Sequence, residues 1–281
     1  MVNMKFPSSE YLRLSILCFP TVFFICCLKA QTKPVISGSG KYDRLVWQDE
    51  FDYNGFPDPS KWSYDTGYIA NNEVQYYTAN QRENAWVDSG VLKITARHDS
   101  IKMGNRIFPA TSARIKTQGK KSWTYGRIEV RSKIPSALGT WPAIWTLGAD
   151  IGQTGWPNCG EIDIMENVGF DPDTLHFNVH TKKYNHVIHT NKGNHIYYSS
   201  PQKDFHIYAI EWFPERIDWY FDDRKVFTYT NEGSGVAAWP FDKPQFIILN
   251  LAFGGDWGGA KGVSLQSLPQ VFEIDYVRVY Q

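Results

Sequence analysis

Gly126-Arg127-Ile128-Glu129-Val130-Arg131 alternates apolar and polar side chains, which is the period of a strand that buries one face. Val91–Ala96 and Glu161–Ile164 show the same alternation. Asp222-Asp223 is interpreted as a hairpin turn near the C-terminus. Further strands are predicted at Phe205–Trp212, Ile217–Phe221, Lys225–Tyr229, Phe246–Leu251 and Phe272–Tyr280. Turn residues separate these segments and no long helical period occurs, so we predict an all-β fold, a β-sandwich of jelly-roll type with two packed antiparallel sheets and a concave groove.

The first 30 residues differ from the rest of the chain. Lys5 and Arg13 precede an uncharged run of 15 residues, 14–28. Because a membrane-spanning helix needs about 20 residues, we predict a secretory signal peptide over residues 1–30 and a secreted or periplasmic protein. An uncleaved anchor, or a lipid attached to Cys26 or Cys27, is the alternative. Residues 31–41 are interpreted as a linker and residues 42–281 as one domain.

Composition narrows the classes of partner. The 29 Lys plus Arg balance the 29 Asp plus Glu, so the net charge gives no reason to expect a nucleic-acid partner. Three of the four cysteines lie in the predicted leader, which leaves Cys159 alone and excludes an internal disulfide in the mature chain. Cys159 is interpreted as a buried packing residue rather than a nucleophile.

Three acids follow one another in Glu161-Ile162-Asp163-Ile164-Met165-Glu166. Glu161 and Asp163 share one face of a strand, whereas a regular strand would turn Glu166 toward the core, where an unpaired charge is costly. One extra residue in the strand would turn Glu166 to the same face as Glu161 and Asp163, so we predict a β-bulge within 164–166. Neighbouring acids raise at least one pKa, and glycoside hydrolysis requires a protonated acid beside an ionised one. Taken alone, a solvated acidic face explains the pattern equally well.

The hexapeptide resembles the signature of glycoside hydrolase family 16, in the longer, bulged form found in its bacterial laminarinase branch. Similarity to that branch extends from about Leu45 to Gln281. It is carried by Asn71–Glu73, Gln75–Thr78, Ala113–Thr117, Trp123–Arg131, Thr140–Trp145, Trp156-Pro157, Trp239–Asp242 and Asn250–Gly259. The resemblance implies that residues 42–281 are a catalytic domain, with Glu161 as nucleophile, Glu166 as general acid/base and Asp163 as supporting acid. It also implies retention of anomeric configuration.

Aromatic and polar residues of the matching segments suit a groove for a neutral sugar chain. The expected substrate-binding residues are Asn72, Arg114, Trp141, Trp145, Trp156, His180, Asn250 and Trp257. For each single Trp, packing in the core is the alternative. We expect Trp62, Trp212 and Trp219 in the core and a structural role for His176, while the loop that carries His186 and His189 is not placed by the pattern.

The resemblance further implies a structural calcium ion away from the groove. Its ligands map onto the backbone carbonyls of Glu50 and Gly90 and onto the carboxylate of Asp275, and hard oxygen ligands suit calcium. No cofactor is expected for catalysis. We expect a monomer whose mature domain does not insert into a membrane.

Three functions remain open from the sequence. The first is endo-hydrolysis of a β-1,3-glucan such as laminarin, as polysaccharide or oligosaccharide, with mixed-linkage β-1,3/1,4-glucan as a further substrate. The second is a family 16 hydrolase of a galactan, agar or carrageenan, although the chain shows no basic cluster suited to a sulfated sugar. The third is a non-catalytic glycan-binding sandwich, which predicts that Glu161 or Glu166 is replaced, and both are present. Asp256 departs from the branch, where Asn is more usual, and we expect this difference to change a subsite contact.

Overall fold

The computed structural model describes residues 1–2 and 41–281. Apart from residues 1–2, the predicted signal peptide and linker lie outside the described residues, and the structure does not test either prediction. Within the described part of the chain, no helix is long and apolar enough to cross a membrane.

Two sheets contain the strands of residues 41–281. The larger sheet has ten strands. They are β1 (Leu45–Asp49), β3 (Gln75–Tyr77), β4 (Ala85–Asp88), β5 (Val91–Met103), β6 (Arg106–Ser112), β8 (Gly126–Lys133), β13 (His206–Trp212), β14 (Arg216–Phe221), β15 (Arg224–Thr230) and β17 (Gln270–Tyr280). Their order is β15-β14-β13-β8-β17-β5-β6-β3, with β1 on β17 and β4 on β5.

The smaller sheet has seven strands in the order β12-β11-β10-β9-β16-β7-β2. They are β2 (Ser63–Asp65), β7 (Arg114–Lys116), β9 (Thr140–Gly148), β10 (Glu161–Val168), β11 (Asp171–His180), β12 (Lys192–Tyr197) and β16 (Gln245–Phe253). All its pairings are antiparallel. In the larger sheet only β3 and β6 run parallel among the described strands. The predicted antiparallel jelly-roll sandwich is confirmed.

Helices are short and confined to the connections. The described residues contain two α-helices, α1 (Ile151–Thr154) and α2 (Gly255–Gly258), and three 3₁₀ turns at His186–Ile188, Pro201–Lys203 and Leu265–Ser267. The predicted hairpin at Asp222-Asp223 joins β14 to β15, and Asp222 has a left-handed φ of 52°. The loops that hold α1 and α2 both reach the site described below.

Apolar residues of the two sheets meet in one core. Ile162 and Ile164 of β10 pack in the same buried cluster as Ile128 and Val130 of β8. Trp62, Trp212 and Trp219 are buried in this cluster, as predicted. Because alternate side chains of β10 point inward to this core, the residues between them point to the opposite face of the smaller sheet.

The polar face of β8 is buried as well, so the prediction of a half-exposed strand there is wrong. Arg127 is 2% exposed and Glu129 is fully buried. Arg127 Nη2 donates to Glu129 Oε2 at 2.8 Å, and the hydroxyl of Tyr276 donates to the other oxygen of Glu129 at 2.8 Å. Buried charges persist when they are paired and hydrogen-bonded in this way, which an alternation pattern does not reveal.

Candidate active site

Strand β10 carries a bulge at the predicted place. Glu161 and Asp163 pair with Leu147 and Trp145 of β9, and Glu166 pairs with Ala143. These β9 residues are two apart, so Glu161, Asp163 and Glu166 behave as alternate residues and lie on one face. Ile164 and Met165 together oppose Ile144 and are both fully buried. The extra residue therefore turns Glu166 away from the core.

The three acids face a cleft of about 850 Å³. Glu161 pairs across β11 with His180, Asp163 with Asn178, and Glu166 with His176. The predicted residues that line the cleft are Arg114, Trp141, Trp145, Trp156, Glu161, Asp163, Glu166, His180, Asn250 and Trp257. The fold thus gathers in one cleft residues that stand up to 143 positions apart, from Arg114 to Trp257.

Each of the two glutamates is held by an indole nitrogen. Trp156 Nε1 donates to Glu161 Oε2 at 2.8 Å, and Trp141 Nε1 donates to Glu166 Oε1 at 2.9 Å. Trp156 belongs to the loop after α1, whereas Trp141 lies on β9 and packs edge-to-face against Trp257 of α2. Two different segments therefore fix the two carboxyl groups independently.

Asp163 lies between them and is 2% exposed. His180 Nε2 is 3.2 Å from Asp163 Oδ2 and 3.7 Å from Glu161 Oε1. Ligand-type atoms of these three residues lie within 4.8 Å of one another, a spacing that one cation would tolerate. Because His180 and Trp156 already engage these carboxyl groups, we assign no metal to this cluster.

Burial raises the pKa of Glu161, Asp163 and Glu166 above the ordinary carboxyl values. Repulsion adds to this effect, since Asp163 raises the pKa of Glu161 and Glu166 raises the pKa of Asp163. The indole donors and His180 act in the opposite direction on the two glutamates. Three acids in one water-poor cluster cannot all ionise easily, so a proton stays on the cluster under conditions where separate carboxyls would lose theirs.

Strands β7, β9 and β16 form one half of the cleft. The ring of Trp145 stacks under the guanidinium of Arg114, whose Cζ lies 4.6 Å from the ring centroid, and its Nε1 donates to Asn250 Oδ1 at 2.7 Å. Asp65 holds Arg114 through an ion pair of 2.9 Å. These contacts preorganise flat and hydrogen-bonding groups for a neutral ligand.

Asn72 does not belong to the lining of the cleft. Its side chain is exposed and Nδ2 donates to Asp256 Oδ1 at 2.8 Å. Asp256, the position where this chain departs from the laminarinase branch, therefore ties Asn72 to α2 at the rim. A substrate contact of Asn72 stays a prediction.

The other half of the cleft, on β11, β12 and the connection between them, contains residues that the sequence pattern did not indicate. His176 lines the cleft, against the structural role expected for it, and its ring packs edge-to-face on Trp257 at 4.8 Å. The further lining residues of this half are Asn178, His186, Asn191, Gly193, Asn194 and His195. His176 and Asn178 share the period of two that ends at His180, so the same alternation could have revealed both.

The residues expected to bind calcium lie beside β17 of the larger sheet, whereas the three acids lie on β10 of the smaller sheet. β5 and β1 pair with successive parts of β17, which places the ends that carry Gly90 and Glu50 beside Asp275. The donors expected there are all oxygens, as calcium prefers. Arg131 Nη1 lies 2.6 Å from Asp275 Oδ2, so a bound cation would require this guanidinium to move or to share the carboxylate.

Comparisons with known proteins agree with this geometry. The family model described as "Glycosyl hydrolases family 16" matches residues 72–278. The chain is 49% identical to a beta-glucanase of Rhodothermus marinus, over 87% of this chain and 89% of that protein. The X-ray structure of the laminarinase from Rhodothermus marinus is similar, with a TM-score of 0.80 and 50% identity over 85% of this chain and 97% of that one.

A second similar structure contains a ligand. It is a mutant of SCLam, which is described as a non-specific endo-beta-1,3(4)-glucanase. Its TM-score is 0.82, with 44% identity over 89% of this chain and 98% of that chain. The SCLam crystal presents a 1,3-beta-D-cellobiosyl-glucose at its active site.

Proposed function

The chain belongs to glycosyl hydrolases family 16, and from that premise we propose that it hydrolyses β-1,3-glucan internally, with retention of anomeric configuration. The observation that carries this proposal is the bulged strand that brings Glu161, Asp163 and Glu166 onto one face of a cleft. Mixed-linkage β-1,3/1,4-glucan is proposed as a further substrate, because SCLam is described as acting on both linkages.

The two glutamates divide the chemistry between them. Glu166, protonated, gives its proton to the leaving glycosidic oxygen, while the ionised Glu161 attacks the anomeric carbon and forms a covalent glycosyl ester. Glu166, now ionised, takes a proton from water, which hydrolyses the ester and restores both acids. Trp141 and Trp156 hold the two carboxyl groups in place through both steps.

Asp163 and His180 adjust the protonation of the two glutamates. Asp163 stands between the glutamates in the row on β10, and repulsion from its carboxylate favours a proton on Glu161. His180, 3.2 Å from Asp163 and 3.7 Å from Glu161, offsets that repulsion by lowering the pKa of Glu161. His180 lowers the pKa of Glu166 as well and so does not distinguish the two glutamates. The nucleophilic role of Glu161 therefore follows from its place in the family signature.

The test is hydrolysis by the full chain of laminarin, lichenan and agarose, with the anomer of the first product read by proton NMR. We expect shorter β-glucan products that are initially β-anomers. Glu161→Gln should lose roughly 10³-fold or more in kcat, whereas Glu215→Gln, an exposed control, should not. Cleavage of agarose alone would show that the substrate is a galactan and not a glucan. Binding of laminarin without cleavage would show that the protein is a glycan-binding protein and not a hydrolase.

We further propose a structural calcium ion held by the carbonyls of Glu50 and Gly90 and the carboxylate of Asp275. The ion would hold the ends of β1 and β5 against β17, and it takes no part in the proposed reaction. The proposal is supported by the convergence of these three segments along one edge of β17.

We also propose that the protein is exported, because residues 1–30 have the composition of a signal peptide. We further propose that it is a monomer. Amino-terminal sequencing of the exported protein should begin near residue 31. A chain that starts at Cys26 or Cys27 with an attached lipid would instead favour anchoring. Sedimentation at micromolar concentration should give the mass of one chain.

A further inference from the structure

Three aromatic rings cluster beside Glu161, and each of them contacts the other two. The ring centroids of Trp156 and His186 are 5.2 Å apart, those of His180 and His186 are 5.0 Å apart, and those of Trp156 and His180 are 6.2 Å apart. Trp156 donates to Glu161, and His180 Nε2 lies 3.7 Å from the same carboxyl group. His186 completes this three-ring cluster by contacting both residues that adjoin Glu161.

His186 comes from the connection between β11 and β12, which the sequence pattern does not place. It begins the 3₁₀ turn His186–Ile188. The side chain of Asn185 is buried and caps this turn, because its Oδ1 accepts from the N–H of Ile188 at 3.3 Å. Its Nδ2 donates to the carbonyl oxygen of Thr181 at 3.1 Å. An exposed connection thus presents the ring of His186 from an anchored backbone.

The imidazole of His180 depends on packing because polar contacts hold it on one side only. Its Nε2 is 3.2 Å from Asp163 Oδ2. Its Nδ1 is buried and has no hydrogen-bond partner among the residues that the structure describes. In a functional histidine the hydrogen bond of the second nitrogen commonly fixes the orientation of the ring. Here the edge-to-face contact with His186, at an interplanar angle of 85°, takes that part.

The indole of Trp156 depends on packing as well. Its N–H donates to Glu161 at 2.8 Å, but the residue lies in the loop after α1 and is only half-buried. A hydrogen bond from a loop side chain keeps its direction when neighbouring side chains fix the ring. The ring of His186 packs against the indole with an interplanar angle of 38°. The same residue therefore supports both neighbours of Glu161.

We propose that His186 is a positioning residue for Glu161, because its ring closes the three-ring cluster and so holds Trp156 and His180 against the carboxyl group. The inference rests on the proposed function, in which Glu161 is the nucleophile. A reacting group displaced by about 1 Å can lose about 100-fold in rate, so the support of such a group is part of the reaction geometry. Most contacts of this kind come from the core, whereas this one comes from an exposed turn.

The experiment compares full-length variants of His186 with the parent protein. We expect His186→Ala and His186→Gln, which both remove the ring, to lose about tenfold in kcat on laminarin with a smaller change in KM. His186→Phe keeps a flat ring and should keep most of the rate. His189→Asn is the matched control, because His189 is exposed and lies outside the described lining of the cleft. Its left-handed φ of 56° is one that Asn tolerates.

A double-mutant cycle tests whether His186 acts through Trp156. Once Trp156→Phe has removed the indole bond, His186→Ala has less left to disturb. We therefore expect the double variant to lose less in kcat than the product of the two single losses. Single losses that multiply in full would show that His186 acts independently of Trp156, which contradicts the inference.

Exchange of the Trp156 indole proton with water gives a readout that needs no substrate. Its NMR signal is the one that is missing in Trp156→Phe. We expect faster exchange in His186→Ala and His186→Gln than in the parent, and exchange close to that of the parent in His186→Phe. Because His186 is exposed, all variants should keep the Tm of the parent, and if one ringless variant fails to fold, the other decides.

Two results would overturn the inference while leaving the hydrolase function intact. The first is a kcat and an exchange rate equal to those of the parent in both ringless variants. The second is an equal loss of kcat in His186→Phe and His186→Ala, which would show that an imidazole nitrogen matters and not the packing of the ring. A parent that cleaves no β-glucan would overturn the proposed function, and the exchange rates would still decide whether His186 holds Trp156.

Discussion

Trp219 reaches across the sandwich to Asp163: its indole Nε1 donates to the backbone carbonyl oxygen of Asp163 at 2.8 Å. Asp163 is the last residue before the register shift of β10. A bulge disrupts the local ladder, and its polar backbone groups need other partners when they are buried. A side chain of the larger sheet thus supplies the hydrogen bond that the bulged strand β10 of the smaller sheet lacks.

Replacement of Trp219 by Phe should therefore destabilise the protein beyond the loss of ring volume. Trp212→Phe is the matched control, because Trp212 is equally buried and its Nε1 has no partner among the described residues. We expect Trp219→Phe to lower the free energy of unfolding by about 1–3 kcal/mol more than Trp212→Phe. Denaturant unfolding measures the difference, and equal losses would show that the bond contributes nothing.

The indole donors predict opposite changes in the width of the pH profile. Loss of the Trp156 bond in Trp156→Phe should raise the pKa of Glu161, which the proposed mechanism requires to be ionised. The acidic limb of kcat/KM should therefore move to higher pH and narrow the profile. Loss of the Trp141 bond in Trp141→Phe raises the pKa of Glu166, so the basic limb should move up and widen it. Rates on laminarin across pH 4–10 distinguish the two variants, and a shared loss of rate without movement of the limbs would argue for stacking alone.

Stability should respond to pH through the same acids. Burial raises the pKa of Glu161 in the folded protein above its ordinary value of 4.5. Between 4.5 and the raised pKa the folded state therefore binds more protons than the unfolded state. The stability of the parent consequently falls as pH rises through this range. Glu161→Gln removes this penalty. At pH 7–8 we expect its Tm to exceed that of the parent, by roughly 2–4 °C for each kcal/mol of unfolding free energy that the substitution gains. The difference in Tm should vanish near pH 4. A constant difference across pH would contradict the raised pKa.

Calcium should stabilise the chain by mass action if Asp275 and its neighbours bind it. Millimolar calcium added after dialysis against a chelator should raise Tm in the parent. Asp275→Asn should lose this response, whereas Asp52→Asn serves as a nearby acidic control. An equal Tm of the parent with and without calcium would contradict the proposed calcium site.

Local patterns predicted the bulge of β10 because its constraint is local. The odd spacing between Asp163 and Glu166 demands a bulge, whatever the rest of the chain does, and the structure confirms it. His186 carries no such signal. Its contact with Trp156 depends on the path of the connection between β11 and β12, which leaves no mark in the segment that carries either residue.

Burial on the second face of β8 was missed for a related reason. Arg127 and Glu129 have the polarity of a solvent-facing row, and only the approach of Tyr276 and Glu211 from neighbouring strands makes their burial tolerable. Alternation reports which side chains share a face, but partners from distant segments decide whether water reaches it.

Cys159 is the sole cysteine within residues 41–281, and its thiol is 1% exposed beside the catalytic strand. Burial raises its pKa to about 11, so almost none of it is thiolate at neutral pH. The domain is consequently held together without any covalent cross-link that an electron donor could break. We therefore expect residues 41–281 to keep the same fold under reducing and oxidising conditions, which unfolding in the presence and absence of a reductant would test.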